Sequence, residues 1–312
     1  MMDEVSQKHS ETPSRCGFVS IIGRPNVGKS TLLNTIIGEK IAIVSKVPQT
    51  TSNQIKGIYT DERGQIIFVD TPGVYLGKDK LDQLLIKTSF ATLEDADCVI
   101  HLVDSSEQTG EEEEEIVRRL STARVPVILG LNKIDLKGHF LPRYIALWKK
   151  MRGCPVTEMK SFLLLPLSGK TKMNVDKLLD AIFEFLPEGP ALYSPDTVTD
   201  LPQKIAIGDI IREKLLTIMR DEVPHSIAVH VEAIQPKKKD VLFISAIIFV
   251  ERDSQKEIVI GKDGQIIKKI GTLARKELEP LLGSRIFLEL HVKSQKKWRD
   301  NLSFLQELGY DD

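Results

Sequence analysis

A glycine-rich turn near the amino end has the residue types and spacing that bind a polyphosphate. Residues 23–30 read GRPNVGKS, directly after the apolar run 18–22 and before the helical pattern 31–37. In such a turn, glycine lets backbone N–H groups approach phosphate, lysine neutralises the β and γ phosphates, and the serine hydroxyl faces Mg²⁺. The alternative is an ordinary tight turn. The candidate ligands are Gly23, Gly28, Lys29, Ser30 and Thr31.

A second motif, Asp70-Thr71-Pro72-Gly73, ends an apolar run that we expect beside the strand feeding this turn. That position would bring the Asp70 carboxylate near Mg²⁺ through a water molecule, and the Gly73 N–H within reach of a γ phosphate. Alone, the tetrapeptide is equally typical of a plain turn. Its order after the phosphate-binding turn favours the nucleotide interpretation.

A third motif, Asn132-Lys133-Ile134-Asp135, follows another apolar run, so its side chains should emerge at the carboxyl edge of the sheet. Asp135 can accept hydrogen bonds from guanine N1–H and N2–H₂, whereas adenine has no such donor pair. Asn132 would tie this loop to the phosphate-binding turn, and the Lys133 stem would cover the base. A backbone N–H for guanine O6 would come from Ser168-Gly169-Lys170.

The scaffold that positions these motifs is predicted by alternating apolar runs. Two strands at 55–60 and 65–70 flank Asp61-Glu62-Arg63-Gly64, which is a hairpin signal. Beyond them, strand and helix patterns alternate, which predicts an α/β domain whose mostly parallel sheet has one antiparallel edge strand. The later strands are 98–104, 125–131 and 162–167, and the helices are 81–93, 112–120, 141–151 and 175–186.

Two polar features of this half receive structural interpretations. The five glutamates at 111–115 are predicted to form the first turns of a solvated helix, favoured by the helix dipole and by Arg118 and Arg119. His101 lies in an apolar run without metal-ligand spacing. We therefore expect it to be a core or edge residue.

Length and composition predict two domains in a soluble protein. The chain has 312 residues, of which 41% are apolar and 28% charged, and its net charge of −1 does not indicate a nucleic-acid partner. Residues 187–203 are rich in proline and lack hydrophobic periodicity. We predict a disordered tail at 1–15, a first domain at 16–186, a linker at 187–203 and a second domain at 204–312.

The expected compartment is the cytoplasm. Cys16, Cys98 and Cys154 show no C-x-x-C spacing, which disfavours a disulfide framework or a zinc site. The segment 1–15 is polar and lacks the apolar stretch of a signal peptide. No run approaches the ~18 apolar residues of a membrane-spanning helix.

The motifs at 23–30, 70–73, 132–135 and 168–170 occur in the order found in the translation-factor-related P-loop GTPases, and the resemblance covers 17–186. It implies GTP or GDP with Mg²⁺ as ligands and GTP hydrolysis as the activity. It also implies that Thr50 or Thr51 closes over the γ phosphate and Mg²⁺, and we favour Thr51. Ser52 stands where arginine is usual, and Gly169 where alanine is usual.

Val74 follows Gly73, where Ras-like enzymes carry the glutamine that orients the attacking water. Relatives with an apolar residue there resemble potassium-dependent GTPases, in which the asparagine matching Asn26 holds K⁺ beside the phosphates. The resemblance therefore implies Lys29, Thr51, Gly73 and Asn26 as the catalytic set, with Ser30, Thr51 and Asp70 at Mg²⁺.

The second domain begins with a helical stripe over 207–218 and two strands at 227–233 and 241–250. Its stretch 258–270, IVIGKDGQIIKKI, resembles the core of a KH domain, in which two glycines let an RNA backbone approach. Propensity favours a strand at 257–260, but the resemblance implies a short helix within an α+β type II KH domain. A final helix is predicted at 296–308. The candidate RNA ligands are Gly261, Lys262, Asp263, Gly264, Lys268 and Lys269.

The two halves together resemble a family of bacterial GTPases that carry a C-terminal KH domain, over all but residues 1–15. The resemblance implies binding to the 3′ region of 16S ribosomal RNA, assistance to assembly of the 30S subunit, a monomeric state and peripheral association with the inner membrane. One alternative makes the second domain a docking module for a protein or a membrane. Another is a nucleotide-dependent binding module that barely hydrolyses GTP.

Overall fold

The first half of the chain builds a six-stranded sheet in a computed structural model that describes residues 14–45, 47, 54–219, 223–238 and 240–310. The strand order is β2-β3-β1-β4-β5-β6, and every neighbouring pair is parallel except β2 with β3. This confirms the predicted α/β class with one antiparallel edge strand. The strands are β1 (Arg15–Ile22), β2 (Ile55–Asp61), β3 (Gly64–Asp70), β4 (Cys98–Asp104), β5 (Val127–Asn132) and β6 (Phe162–Pro166).

Helices cover both faces of this sheet because its strands are apolar on both sides. Along β1, Val19 and Ile21 are buried on the face covered by α1 and α5, whereas Ile22 is buried on the face covered by α3 and α4. The result is a three-layer domain with a core on each face. The helices are α1 (Lys29–Ile37), α2 (Lys80–Ala91), α3 (Glu111–Thr122), α4 (Leu141–Arg152) and α5 (Val175–Phe185).

The second half builds a three-stranded sheet in the order β7-β8-β9. Strands β7 (Ala228–Lys238) and β8 (Val241–Val250) are antiparallel, and β8 pairs in parallel with β9 (Arg285–Ser294). Four helices in the described ranges accompany the sheet, and the order α6-β7-β8-α7-α8-β9 confirms the type II KH arrangement. These helices are α6 (Gln203–Ile218), α7 (Asp253–Ile260), α8 (Gln265–Leu282) and α9 (Leu302–Glu307).

Two local predictions in this half have different outcomes. Residues 257–260 lie in α7, so the short helix implied by the resemblance is confirmed and the strand favoured by propensity is wrong. The single helix predicted at 296–308 is also wrong, because a 3₁₀ turn (Trp298–Asp300) and the short α9 replace it. Asn301 separates the two, since its side chain accepts a hydrogen bond from the Phe304 N–H and caps α9.

The proline-rich segment 187–203 lies against the first sheet. The Cys16 N–H donates to the Pro187 carbonyl at 3.1 Å, and the Ile58 N–H donates to the Val198 carbonyl at 2.9 Å. Arg15, which we assigned to the tail, is the first residue of β1, and α6 begins at Gln203. The rest of the predicted tail, 1–13, lies outside the described residues.

No helix in the described ranges is long and apolar enough to cross a bilayer.

Candidate functional site: a phosphate cradle and an exposed glycine turn

The turn between β1 and α1 is shaped by two glycines that no other residue can replace without a clash. Gly28 has φ 101°, in the left-handed region, and a Cβ there would lie 2.5 Å from the Asn132 amide nitrogen. A Cβ on Gly23 would run into the Leu102 carbonyl. The turn is therefore fitted to glycine at both positions, as the sequence predicts for a loop that admits phosphate.

Lys29 is buried at the first position of α1, beneath this turn. Its Nζ donates to the carbonyls of Gly23 at 3.1 Å and Arg24 at 3.0 Å. Burial disfavours the charged ammonium and lowers the pKa of Lys29 to about 8, although Asp70 and Glu113 act in the opposite direction. An anionic phosphate would supply the negative charge that this partly desolvated cation lacks.

Ser30 and Asp70 come together where β3 ends beside the turn. The Ser30 hydroxyl donates to Asp70 Oδ2 at 2.7 Å, and burial raises the pKa of Asp70 to about 6. The other carboxylate oxygen, Oδ1, is buried without a hydrogen-bond partner among the described residues. Carboxylate and hydroxyl oxygens are ligands that Mg²⁺ prefers, so Ser30 and Asp70 fit the predicted metal. The third predicted ligand, Thr51, lies outside the described residues, as does Thr50.

The motif after β3 packs directly on the phosphate-binding turn. The Val74 N–H donates to the Gly23 carbonyl at 3.1 Å, and a Cβ on Gly73 would lie 2.7 Å from the Pro25 Cα. Gly73 is thus held against the phosphate-binding turn, beside Pro25. The Val74 side chain is fully buried in the core, so it has no polar group to offer an attacking water.

The loop after β5 is braced to two other loops by Asn132. Its amide nitrogen donates to the Val27 carbonyl at 2.7 Å, and its Oδ1 accepts from the Gly169 N–H at 2.9 Å. Thr35 in α1 donates to the Gly169 carbonyl at 2.6 Å. The structure therefore brings together the turn at 23–30, the loop at 132–135 and the tripeptide Ser168, Gly169 and Lys170. We call these three segments the phosphate cradle.

The remaining residues predicted to contact the base lie at the edge of this cradle. Lys133 donates to the Asn26 carbonyl at 2.8 Å and pairs with Asp104 at 2.5 Å, so its stem crosses the space between two loops. Asp135 is exposed at the same edge. Asn26 itself adopts φ 62°, which brings this position of the turn into the left-handed region.

In the second domain, the G-K-D-G turn joins α7 to the start of α8. Gly261 has φ 73° and Gly264 has φ 70°, and a Cβ on Gly261 would lie 2.6 Å from Ile266 Cγ1. Lys262 and Asp263 are exposed between them, and Lys268 and Lys269 are exposed one turn into α8. Backbone N–H groups at the helix start and the exposed Lys262, Lys268 and Lys269 make a surface suited to sugar phosphate.

Sequence reasoning missed a functional candidate in the glutamate run. The prediction that residues 111–115 form a solvated face is wrong for Glu113, whose side chain is fully buried against His101 and Arg24. His101 is a core residue, as predicted. The missed signal was helical spacing, because Glu113 lies three and four residues before the buried Ile116 and Val117.

Two family models match the chain in separate regions. One, described as a 50S ribosome-binding GTPase, matches residues 18–133, and the other, a KH domain, matches residues 222–299. The first region contains the turn at 23–30 and the motif at 70–73, and the second contains the G-K-D-G turn. Fold and site together define a P-loop GTPase with a C-terminal KH domain.

Two solved structures are similar over nearly the whole chain. A crystal structure of Era in complex with MgGDPNP and nucleotides 1506–1542 of 16S ribosomal RNA is 37% identical, covers 96% of this chain and 100% of its own, and has a TM-score of 0.89. A point variant of Aquifex aeolicus Era bound to GDP.AlF4⁻ is 36% identical, with the same coverages and a TM-score of 0.87. The chain belongs to the Era family.

Proposed function

We propose that this chain is a GTP-hydrolysing switch that binds the 3′ region of 16S ribosomal RNA through its KH domain and assists assembly of the 30S subunit. The observation that carries the proposal is the joint presence of the phosphate cradle and the exposed G-K-D-G turn. Support comes from the similar Era structure, which holds MgGDPNP and nucleotides 1506–1542 of 16S ribosomal RNA. Lys29, Ser30 and Asp70 hold the phosphates and Mg²⁺, and Asp135 reads guanine.

The full chain with a non-hydrolysable GTP analogue should bind an oligoribonucleotide of the 16S 3′ region at least about tenfold more tightly than a scrambled oligonucleotide of equal length and composition. The reason is that bases are read on apolar surface beside the G-K-D-G turn, in addition to backbone contacts. Filter binding at fixed salt measures both affinities. Equal affinities for the two oligonucleotides would contradict sequence-specific RNA binding. If the chain instead co-sediments with anionic lipid vesicles, the membrane-docking alternative is favoured.

We further propose a cytoplasmic monomer that associates peripherally with the inner membrane. Free cysteines at Cys16, Cys98 and Cys154 support a reducing compartment.

We propose that K⁺ held by Asn26 supplies the positive charge that an arginine finger gives other GTPases. Support comes from Asn26 in its left-handed conformation in the turn and from Val74, which is buried and cannot orient water. Developing charge on the transferred phosphoryl group must be neutralised, and a monovalent cation beside the phosphates would do so.

Replacing Na⁺ with K⁺ at constant ionic strength should therefore raise the GTP hydrolysis rate at least about tenfold, from an intrinsic rate on the order of 10⁻⁴ per second. Asn26→Ala should remove the stimulation while leaving GDP affinity within about threefold, because Asn26 contributes to K⁺ more than to the nucleotide. Phosphate release over hours measures the rates. Hydrolysis that is equally fast in both buffers would exclude K⁺, and no measurable hydrolysis would favour the binding-module alternative.

Among the described residues, two sets of ion pairs join the GTPase domain to the KH domain. One begins at Lys40, which follows α1, and the other at α2, which follows Gly73. In the first set, Lys40 pairs with Glu213 in α6 and Glu277 in α8, both at 2.7 Å. The Val44 N–H also donates to Glu213 at 3.1 Å. Because α8 begins at the G-K-D-G turn, this set links the segment before Thr51 to the RNA-binding turn through one helix.

The second set lies at α2, which follows Gly73. Arg299 contacts Asp79 at 2.6 Å and Asp82 at 2.9 Å. Beside it, Leu81 and Leu85 of α2 pack with apolar residues of the KH sheet and its final helix. We propose that these contacts transmit the nucleotide state to the RNA-binding surface, because movement of α2 or of the Lys40 segment must displace groups of the second domain.

Arg299→Ala should reduce the ratio of RNA affinities in the GTP-analogue and GDP states. Coupling between two sites typically changes affinity about 5- to 150-fold, and the variant should bring this ratio toward one. Filter binding in both nucleotides gives the ratio. Lys296→Ala is the matched control, because Lys296 is an exposed cation of the same segment. An unchanged ratio in Arg299→Ala would show that this contact holds the domains without transmitting the nucleotide state.

A further inference from the structure

A buried chain of polar side chains runs from the core of the GTPase domain to the phosphate-binding turn. The Trp148 indole N–H donates to His101 Nδ1 at 3.2 Å, and His101 Nε2 lies 2.8 Å from Glu113 Oε1. The other carboxylate oxygen of Glu113 lies 2.6 Å from Arg24 Nε. These last two atoms face each other as an ion pair, although not along a straight hydrogen bond. Arg24 is the second residue of the turn.

The direction of these hydrogen bonds follows from which atoms can donate. An indole N–H is only a donor, so His101 Nδ1 must accept and the imidazole proton must lie on Nε2. His101 Nε2–H then donates to one carboxylate oxygen of Glu113, and the other oxygen faces Arg24. Burial is the largest single influence and disfavours the charged guanidinium, but Glu113, Tyr144 and Glu107 together outweigh burial and raise the pKa of Arg24 overall.

Such a pair is not explained by fold stability. Both side chains lose water, and a buried ion pair is often no more stabilising than apolar residues of similar volume. His101 and Glu113 are fully buried, and Arg24 is only 15% exposed. The pair does, however, fix one peptide of the phosphate-binding turn. The Arg24 carbonyl accepts a hydrogen bond from Lys29 Nζ. The Arg24 guanidinium also donates to the Gln108 carbonyl at 3.2 Å.

We propose that Arg24 and Glu113 are positioning residues. They hold the phosphate-binding turn in its nucleotide-binding conformation by anchoring it to α3. The Arg24 side chain lies 2.6 Å from a carboxylate of α3 and donates to a carbonyl in the loop before α3, so it acts on bound nucleotide through its own backbone and through Lys29. His101 and Trp148 hold Glu113 in place. The inference rests on the proposed function in one respect, namely that residues 23–30 bind phosphate.

The test separates this role from a purely structural one by restoring stability without the charges. Glu113→Gln keeps the side-chain shape but loses the charge, and Arg24→Met/Glu113→Leu replaces the pair with apolar groups. Arg143→Ala is the control, because Arg143 donates to the neighbouring Gln108 side chain at 2.7 Å and is exposed. The full-length chain is assayed for its melting temperature and for the release rate of a fluorescent GDP, well below the melting temperature.

We expect Glu113→Gln to speed GDP release at least about tenfold, because one charge-assisted contact contributes roughly that much in affinity. The double variant should melt within a few degrees of wild type, yet release GDP as fast as Glu113→Gln. Arg24→Lys, which keeps the charge, should release GDP at an intermediate rate, and Arg143→Ala should resemble wild type.

Slow, wild-type GDP release by Glu113→Gln would overturn the proposal, whether or not the double variant folds. Recovery of slow release together with the melting temperature in the double variant would also overturn it, because the pair would then be only structural. Failure of the wild-type chain to bind GDP at all is a different result. It would contradict the proposed function and would leave the role of the Arg24–Glu113 pair unaffected.

Discussion

Asp135→Asn is expected to replace the preference for guanine nucleotides with a preference for xanthine nucleotides. Asp135 lies at the exposed edge of the cradle, where its carboxylate is available to guanine N1–H and N2–H₂. Asparagine offers an N–H donor where the carboxylate only accepts, so it faces the guanine amino group donor to donor. Xanthine has a carbonyl at that position and restores the pairing. Sites that hydrogen-bond a substrate reject a mismatched analogue by about 10⁴-fold, and we expect a loss of about 10²- to 10⁴-fold for GDP.

Displacement of a fluorescent guanine nucleotide by GDP, XDP and ADP measures this preference, with the labelled xanthine nucleotide used for the variant. Asn132→Asp is the matched control, because Asn132 braces the cradle through Val27 and Gly169 without reading the base. It should weaken GDP and XDP binding to a similar extent. Unchanged GDP affinity in Asp135→Asn would overturn the assignment of this residue to guanine.

The sequence predicts the cradle well because each of its motifs is local and follows an apolar strand. Once β1, β3 and β5 are recognised, a parallel sheet requires their carboxyl ends to meet at one edge. The structure accordingly joins Asn132 to Val27 and Ser30 to Asp70. The roles of these residues toward nucleotide remain predictions, but their proximity follows from the strand order.

The charge run at 111–115 shows why the ion pair between Glu113 and Arg24 could not be predicted from the sequence. Five consecutive glutamates are typical of a solvated face, and composition cannot say that one of them faces inward. Glu113 is buried because α3 packs on β4, which brings it to His101 and Arg24, residues 12 and 89 positions earlier in the sequence. A buried charge is specified by its partners, and partners distant in sequence leave no local pattern.

Contacts between the domains are equally invisible to local patterns. Lys40, Glu213 and Glu277 are ordinary charged residues of a loop and two helices, and only the packing of α6 and α8 beside that loop pairs them. The segment 187–203 reads as a linker because it lacks periodicity. In the structure it lies along β1 and β2 through backbone hydrogen bonds, which any sequence can make.

Lys262→Asp is expected to abolish most of the RNA affinity without altering the nucleotide site. The side chain is exposed in the G-K-D-G turn beside Asp263, so the change places two carboxylates where an RNA phosphate must approach. Neither glycine is altered, which matters because a Cβ on Gly261 would meet Ile266 at 2.6 Å and distort the turn itself. Loss of a phosphate contact and gain of repulsion should weaken binding about 10- to 100-fold.

Filter binding of the full chain to the 16S 3′ oligonucleotide over a range of salt concentrations tests this. The slope of log affinity against log salt should fall by about one for the lost phosphate contact. Lys276→Asp makes the same charge change at an exposed position of α8, beyond the turn, and should weaken binding far less. An equal loss in both variants would mean that only overall charge matters. Unchanged RNA affinity in Lys262→Asp would place the RNA elsewhere on the protein. GDP binding is the control, and it should be unchanged in both variants because the nucleotide site lies in the other domain.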